Sequence, residues 1–181
     1  MSNPELIASL ERVVVRLVQA PDRDTAISAA LTFLIEATGA DMGAVFAPAG
    51  TSLRFSFGQG LPKKFLRKPP LLERSAWDGA MIVQHSTGPA VDPALEQHAR
   101  LAGVPTWASM PITYRDGFFG LVVVASRDLV GFSEQAVELF SIVSRVLGMA
   151  LYGLGHAPPN PNPNPSPNPS PNPPPDNTST G

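Results

Sequence analysis

The sequence predicts an α+β domain over residues 1–155, followed by a separate tail over residues 156–181. Three observations carry this reading. Apolar residues recur at helical spacing at both ends of the first segment, a β-branched hairpin lies between them, and proline dominates after Ala157. Eleven of the 21 prolines and six of the seven asparagines fall in that last stretch. Alternating proline fixes φ and removes backbone donors, and no apolar side chains remain to bury, so the tail reads as a disordered to polyproline-II spacer. The remainder is long enough for one hydrophobic core.

Asn3-Pro4-Glu5 opens the first helix with a cap, a proline in the first turn and an acid near the positive helix end. Leu6, Leu10, Val13 and Leu17 follow at spacings of four and three, with Ile7, Val14 and Val18 beside them. Pro21 ends this helix, and Asp22 caps a second that runs to Gly39. Met42 to Ala47 and Leu53 to Phe57 read as strands, the second alternating Leu53, Phe55 and Phe57 against Arg54 and Ser56. A short helix is expected over residues 62–68. Ser75-Ala76-Trp77-Asp78 has the form of a capping box and predicts a helix carrying Met81, Ile82 and Val83. Gly88-Pro89 turns into a short Ala90-Val91 strand, and Asp92-Pro93 opens a helix that stops at Gly103. Trp107 to Tyr114 and Phe118 to Ala125 form a hairpin about an Asp-Gly turn, the return strand apolar on both faces and therefore central. Ser133 caps the last helix, which shows two apolar stripes: Ala136, Phe140, Val143, Leu147, Ala150, and Leu139, Ile142, Val146, Met149.

Several functions are disfavoured by composition. A net charge of −2 and a pI near 5.9 give no electrostatic case for nucleic acid or an anionic membrane. The N-terminus lacks signal-peptide order, and no apolar run approaches the length of a membrane span, so a cytoplasmic protein is expected. The chain has no cysteine, which removes disulfides, thiolate metal sites and thiol nucleophiles. His85, His98 and His156 show no metal-ligand spacing; His85 is read at a helix end and His98 on a wet helix face. No nucleophile-elbow, phosphate-loop or dinucleotide motif is present, and Ser109 has no adjacent base, so neither catalysis nor a cofactor is expected.

The order helix, helix, β, β, helical insert, β, helix, hairpin, helix accompanies a more specific set of residues. Gly103-Val104, Pro111-Ile112, Gly120-Leu121 and Phe132-Ser133-Glu134 together resemble the C-terminal half of a GAF domain, and the likeness extends more loosely over residues 5–154. The resemblance implies a GAF/PAS-like antiparallel sheet with the terminal helices on one face and pocket-forming inserts on the other. It implies a non-enzymatic sensory or regulatory domain that binds a small ligand and signals to a separate protein partner. A structural adaptor with the same fold and no ligand is the alternative. Without cysteine, the thioether-bilin and methionine-sulfoxide-reducing variants of the family are excluded, and the lack of a body asparagine beyond Asn3 disfavours its Asn-Lys-Phe-Asp-Glu cyclic-nucleotide site.

Within that frame Phe55, Phe57, Phe65, Trp77, Met81, Trp107 and Ser109 are the candidate ligand-binding residues, although core filling, which a domain of this size needs anyway, is the stronger account of the aromatics. Lys63, Lys64, Arg67 and Lys68, four of thirteen basic residues, form a patch beside Phe65 and Leu66. On a short helix the four cations share one side while Phe65, Leu66 and Leu61 turn toward the domain. The patch reads as a solvated face, an anion-binding lid or a surface for an acidic partner. Leu10, Val13, Leu17, Phe140, Val143 and Leu147 exceed what a sheet can cover, which suggests homodimerisation through the terminal helices unless those helices cover each other. If the tail is a spacer, truncation after residue 156 shifts the melting temperature by less than about 2 °C; a larger fall in a thermal scan means that it docks.

Overall fold

The computed structural model describes residues 3–77, 82–85, 92–128 and 131–156. Met81, the Gly88-Pro89 turn, the Ala90-Val91 strand and the tail beyond residue 156 lie outside the described residues. The chain order is α1 (Asn3–Val18), α2 (Arg23–Thr38), β1 (Met42–Ala49), β2 (Ser52–Gln59), α3 (Lys63–Arg67), β3 (Leu71–Glu73), β4 (Ile82–His85), α4 (Pro93–Ala102), β5 (Thr106–Tyr114), β6 (Gly117–Ser126) and α5 (Glu134–His156). The strands form one antiparallel sheet in the order β3-β2-β1-β6-β5-β4.

The helix ends follow the sequence chemistry. Asp22 accepts the Thr25 N–H at 2.7 Å, and Gly39 closes α2 in the left-handed region at φ 69°. The Ser133 hydroxyl accepts the Ala136 N–H and so starts α5. In the hairpin the two turn residues are Arg115 and Asp116, and Gly117 already pairs with Tyr114. Arg115 takes a positive φ of 52°, and its guanidinium lies over the Tyr114 and Tyr152 rings. Asp41 ties the start of β1 to the end of β6. The Arg127 N–H, and then the Ser126 hydroxyl, donate to its carboxylate and hold that carboxyl below its ordinary pKa.

Two local expectations are corrected. The Trp77 capping box does not start a helix: Arg74–Trp77 is a single 3-10 turn, and Ile82–His85 is strand β4, paired with β5 from Ser109 to Thr106. β-branched Ile82 and Val83 suit a pleated surface, and without β4 the edge of β5 would lack partners there. His85 accordingly ends a strand, opposite Thr106. The second correction is a bulge. Phe46 pairs with Phe55 and Val45 with Phe57, so Ser56 is the extra residue on β2. That insertion breaks the alternation. Leu53 and Phe55 pack on one face of the sheet, and Phe57 on the other.

The two faces carry separate cores. On the helix side α2 lies against β1, β2 and β6, α5 lies against β5 and β6, and α1 rests on α2 and α5 as an outer layer. Ala30, Leu31 and Leu34 of α2 meet Val122 and Val124 of β6 and Val143 and Leu147 of α5 in this cluster. Gly148 permits the close approach of α5 to β5, since a Cβ there would collide with the Thr113 carbonyl oxygen. This layering alters the dimer argument. Val13, Leu17, Phe140, Val143 and Leu147 are buried, and Leu10 is partly buried, all within one chain. The helices cover each other. What stays exposed is a different set, chiefly Ile7, Val15 and Val18 on α1 and Ile142 and Met149 on α5. By length and composition α5 could cross a membrane, but Phe140, Val143, Leu147 and Leu151 are core residues of this fold.

Leu147→Ala should cost about 2–5 kcal/mol in urea unfolding, by the same amount at low and high protein concentration. A loss that shrinks as concentration rises would place Leu147 at a subunit interface instead.

Candidate functional site

The other face of the sheet holds a second cluster. Ala44 and Phe46 of β1, Leu53 of β2, Trp107 of β5, and Leu121 and Val123 of β6 form its floor. Leu72 of the edge strand β3 extends this floor, and Trp77 and Leu95 cover it from the 3-10 turn and α4. An aromatic series climbs from the floor toward α3 and α4. Phe46 meets Phe55 edge-on at 6.1 Å between centroids, Phe55 meets Phe65 at 5.8 Å, and Phe65 meets the His98 ring at 5.6 Å. Trp77 and Trp107 pack together at 6.1 Å. Their indole N–H groups are buried with no hydrogen-bond partner among the described residues.

The two covering helices are held unequally. Asp92 accepts the N–H groups of Ala94 and Leu95 at the start of α4, and a third oxygen contact, from the Glu73 N–H at 3.1 Å, straps α4 to β3. Helix α3 has five residues, no side-chain cap and no fully buried residue. His98 links it to α4: its Nε2 lies 3.0 Å from the Lys68 carbonyl oxygen and its Nδ1 lies 2.8 Å from that of Ala94. Both contacts are hydrogen bonds only when both ring nitrogens carry protons; a neutral ring donates to one.

Between α3 and α4 is a surface cleft of about 240 Å³, walled by Pro62, Lys64, Phe65 and Lys68 on one side and by Gln97, His98, Leu101 and Ala102 on the other. A narrow apolar slot of about 40 Å³ adjoins it, sharing Pro62, Phe65, His98 and Ala102, and reaches Leu95, Trp107 and Val123. A larger hollow, about 710 Å³, lies on the helix side between α1 and α2. It is an open groove with Arg16, Asp24, Thr25 and Ser28 in its wall. The α3–α4 cleft is the better candidate because it joins an apolar interior to a few polar groups, the usual make-up of a small-molecule site.

The expected residues divide accordingly. Phe65 and Trp107 line the cavity and Phe55 backs Phe65. Trp77 is buried against Trp107 without lining it, and Ser109 is fully buried on β5. Phe57 faces the helix side and lines the open groove there. Of the four cations, all exposed, Lys64 and Lys68 border the cleft while Lys63 and Arg67 do not. Leu66 is half exposed instead of turning inward. His98, Gln97, Leu101 and Ala102 are additions from α4. His98 sits between Phe65 and Lys68 and not on a wet face. The spacing Leu95, His98, Ala102 was the available signal, since those positions share one side of a helix.

No curated protein sequence matches the chain significantly. Solved structures resemble it in fold at low identity. The chromophore-binding domain of an unusual bacteriophytochrome from R. palustris superposes with a TM-score of 0.69 at 16% identity, over 87% of this chain and 64% of that one. The GAF domain from an Acinetobacter phosphoenolpyruvate-protein phosphotransferase gives 0.66 at 15%, over 88% and 99%. The GAF domain/HD domain protein from Geobacter sulfurreducens gives 0.64 at 17%, over 77% and 98%. The chain thus spans slightly under two thirds of the phytochrome fragment but nearly all of the other two. A sequence profile of the GAF domain matches residues 22–151, most of the described fold. The chain belongs to the GAF domain family.

Proposed function

We propose that this GAF domain is a non-catalytic sensory or regulatory module that holds a small ligand in the α3–α4 cleft and reports occupancy to a separate protein. The observation that carries the reading is the unequal attachment of the cover. A rigid, doubly buried sheet forms the floor, α4 is strapped to β3 through Asp92, and α3 rests on Phe65 and the His98 contact. A ligand that wedges beside Phe65 must displace or fix α3, and any differential affinity for the two positions of α3 shifts their populations. Partner recognition would then read α3 and its exposed cations.

A second reading has its own support. Ile142 and Met149 recur one heptad apart on α5 and stay exposed, as do Ile7 and Val18 on α1. Self-association would use this outer stripe, and an adaptor without ligand would depend on it.

A thermal-shift screen of a metabolite panel separates the two. A ligand of this cleft at one hundred times its Kd adds about 2.7 kcal/mol to stability, and Phe65→Ala should abolish that shift while the unliganded variant still unfolds cooperatively. A shift that survives Phe65→Ala places the ligand elsewhere. No shift with any compound, together with a partner captured through the α1/α5 stripe, would favour the adaptor.

A further inference from the structure

The rim of the α3–α4 cleft carries charge of one sign. Lys64 of α3 and Lys68, the residue just past its C-terminal end, both line this cleft, and His98 lines it from α4. Among the described residues no carboxylate lines the cleft. Among the described residues the one ion pair joins Arg100 to Glu96, and neither lines the cleft. Asp92, the buried acid at the start of α4, is already occupied by three backbone N–H groups. Lys64 and Lys68 therefore stand beside the apolar surface of Phe65 and Leu101, and beside the slot that reaches Trp107, with no acid among the described residues of the cleft to answer them.

We infer that the ligand is a small amphipathic organic anion. Its apolar ring or branched chain would enter toward the slot beside Phe65, and its anionic head would remain at the mouth between Lys64 and Lys68. The inference rests on the reading of the cleft as a ligand site and adds the class of ligand. Volume bounds the size: about 240 Å³ is below the roughly 300–1,000 Å³ of sites for drug-sized ligands. The head group stays in solvent, so each charge contact is worth about two- to fivefold in affinity, and salt weakens it. Burial of the apolar body supplies the remainder. A carboxylate and a phosphate ester share this chemistry.

Three probes of similar shape test it on the full chain by amide NMR: phenylacetate, phenyl phosphate and the uncharged 2-phenylacetamide. The anions should shift the Phe65, Leu101 and Ala102 signals at millimolar concentration, with the amide about tenfold weaker. High salt, or the paired change Lys64→Glu and Lys68→Glu, should reduce the anions to the level of the amide while leaving the spectrum of the fold intact. Either anion behaving in this way supports the proposal, and phenyl phosphate alone narrows it to phosphate esters. Amide binding as tight as that of the anions overturns the ligand class but leaves the cleft as a binding site. If no probe moves those signals, both the class and the site reading fall.

Discussion

The structure depends on burial of the central strands on both faces. β6 lies between β1 and β5, and its consecutive residues alternate between two apolar environments. Val122 and Val124 face the helices, while Leu121 and Val123 face the second cluster. The run as a whole thus gains its full burial only if both layers are present. The sheet cannot be a surface with one wet side. Covering the second face is an energetic requirement before it is a functional one, and the site is built from what covers it.

The two covers differ in kind. On the helix side, α2 and α5 are long, touch the sheet along their length, and are themselves covered by α1. On the other side the cover is assembled from a five-residue helix, a 3-10 turn and a ten-residue helix. Short elements bury little and propagate little cooperativity, so they open locally at lower free energy than the strands beneath them. A cleft forms where two such pieces, α3 and α4, meet imperfectly. Phe65 and His98 bridge the join, and the cleft opens there onto apolar surface.

Much of this was legible in the residues, and the exceptions have identifiable causes. Asp22, Gly39, Asp92-Pro93, Gly103 and Ser133 marked helix ends because their cap chemistry is local. The hairpin and the central position of its return strand followed from β-branched density. Phe57 was misplaced because the extra residue Ser56 leaves no mark in the apolar alternation; only pairing with β1 reveals it. β4 was missed because a capping-box pattern competes with the demand of β5 for an edge partner, and tertiary pairing won. The stripes of α1 and α5 left open whether a second copy or the helices themselves cover them, because sequence counts apolar faces without showing that three helices share them. His98 was read as solvated from its charged neighbours, whereas its contacts come from α3, thirty residues away.

The central claim is that a rigid sheet carries a cover that is separable at α3, and native-state amide hydrogen exchange measures it directly. The amides of Phe65 and Leu66, which donate to the Pro62 carbonyl, should exchange through local opening far below the global unfolding free energy. Those of Val122 to Val124 in β6 should exchange only at that global limit. Equal protection of α3 and β6 would contradict the account, because the cover would then be one cooperative body with the sheet and the cleft would have no separate means of responding to a ligand.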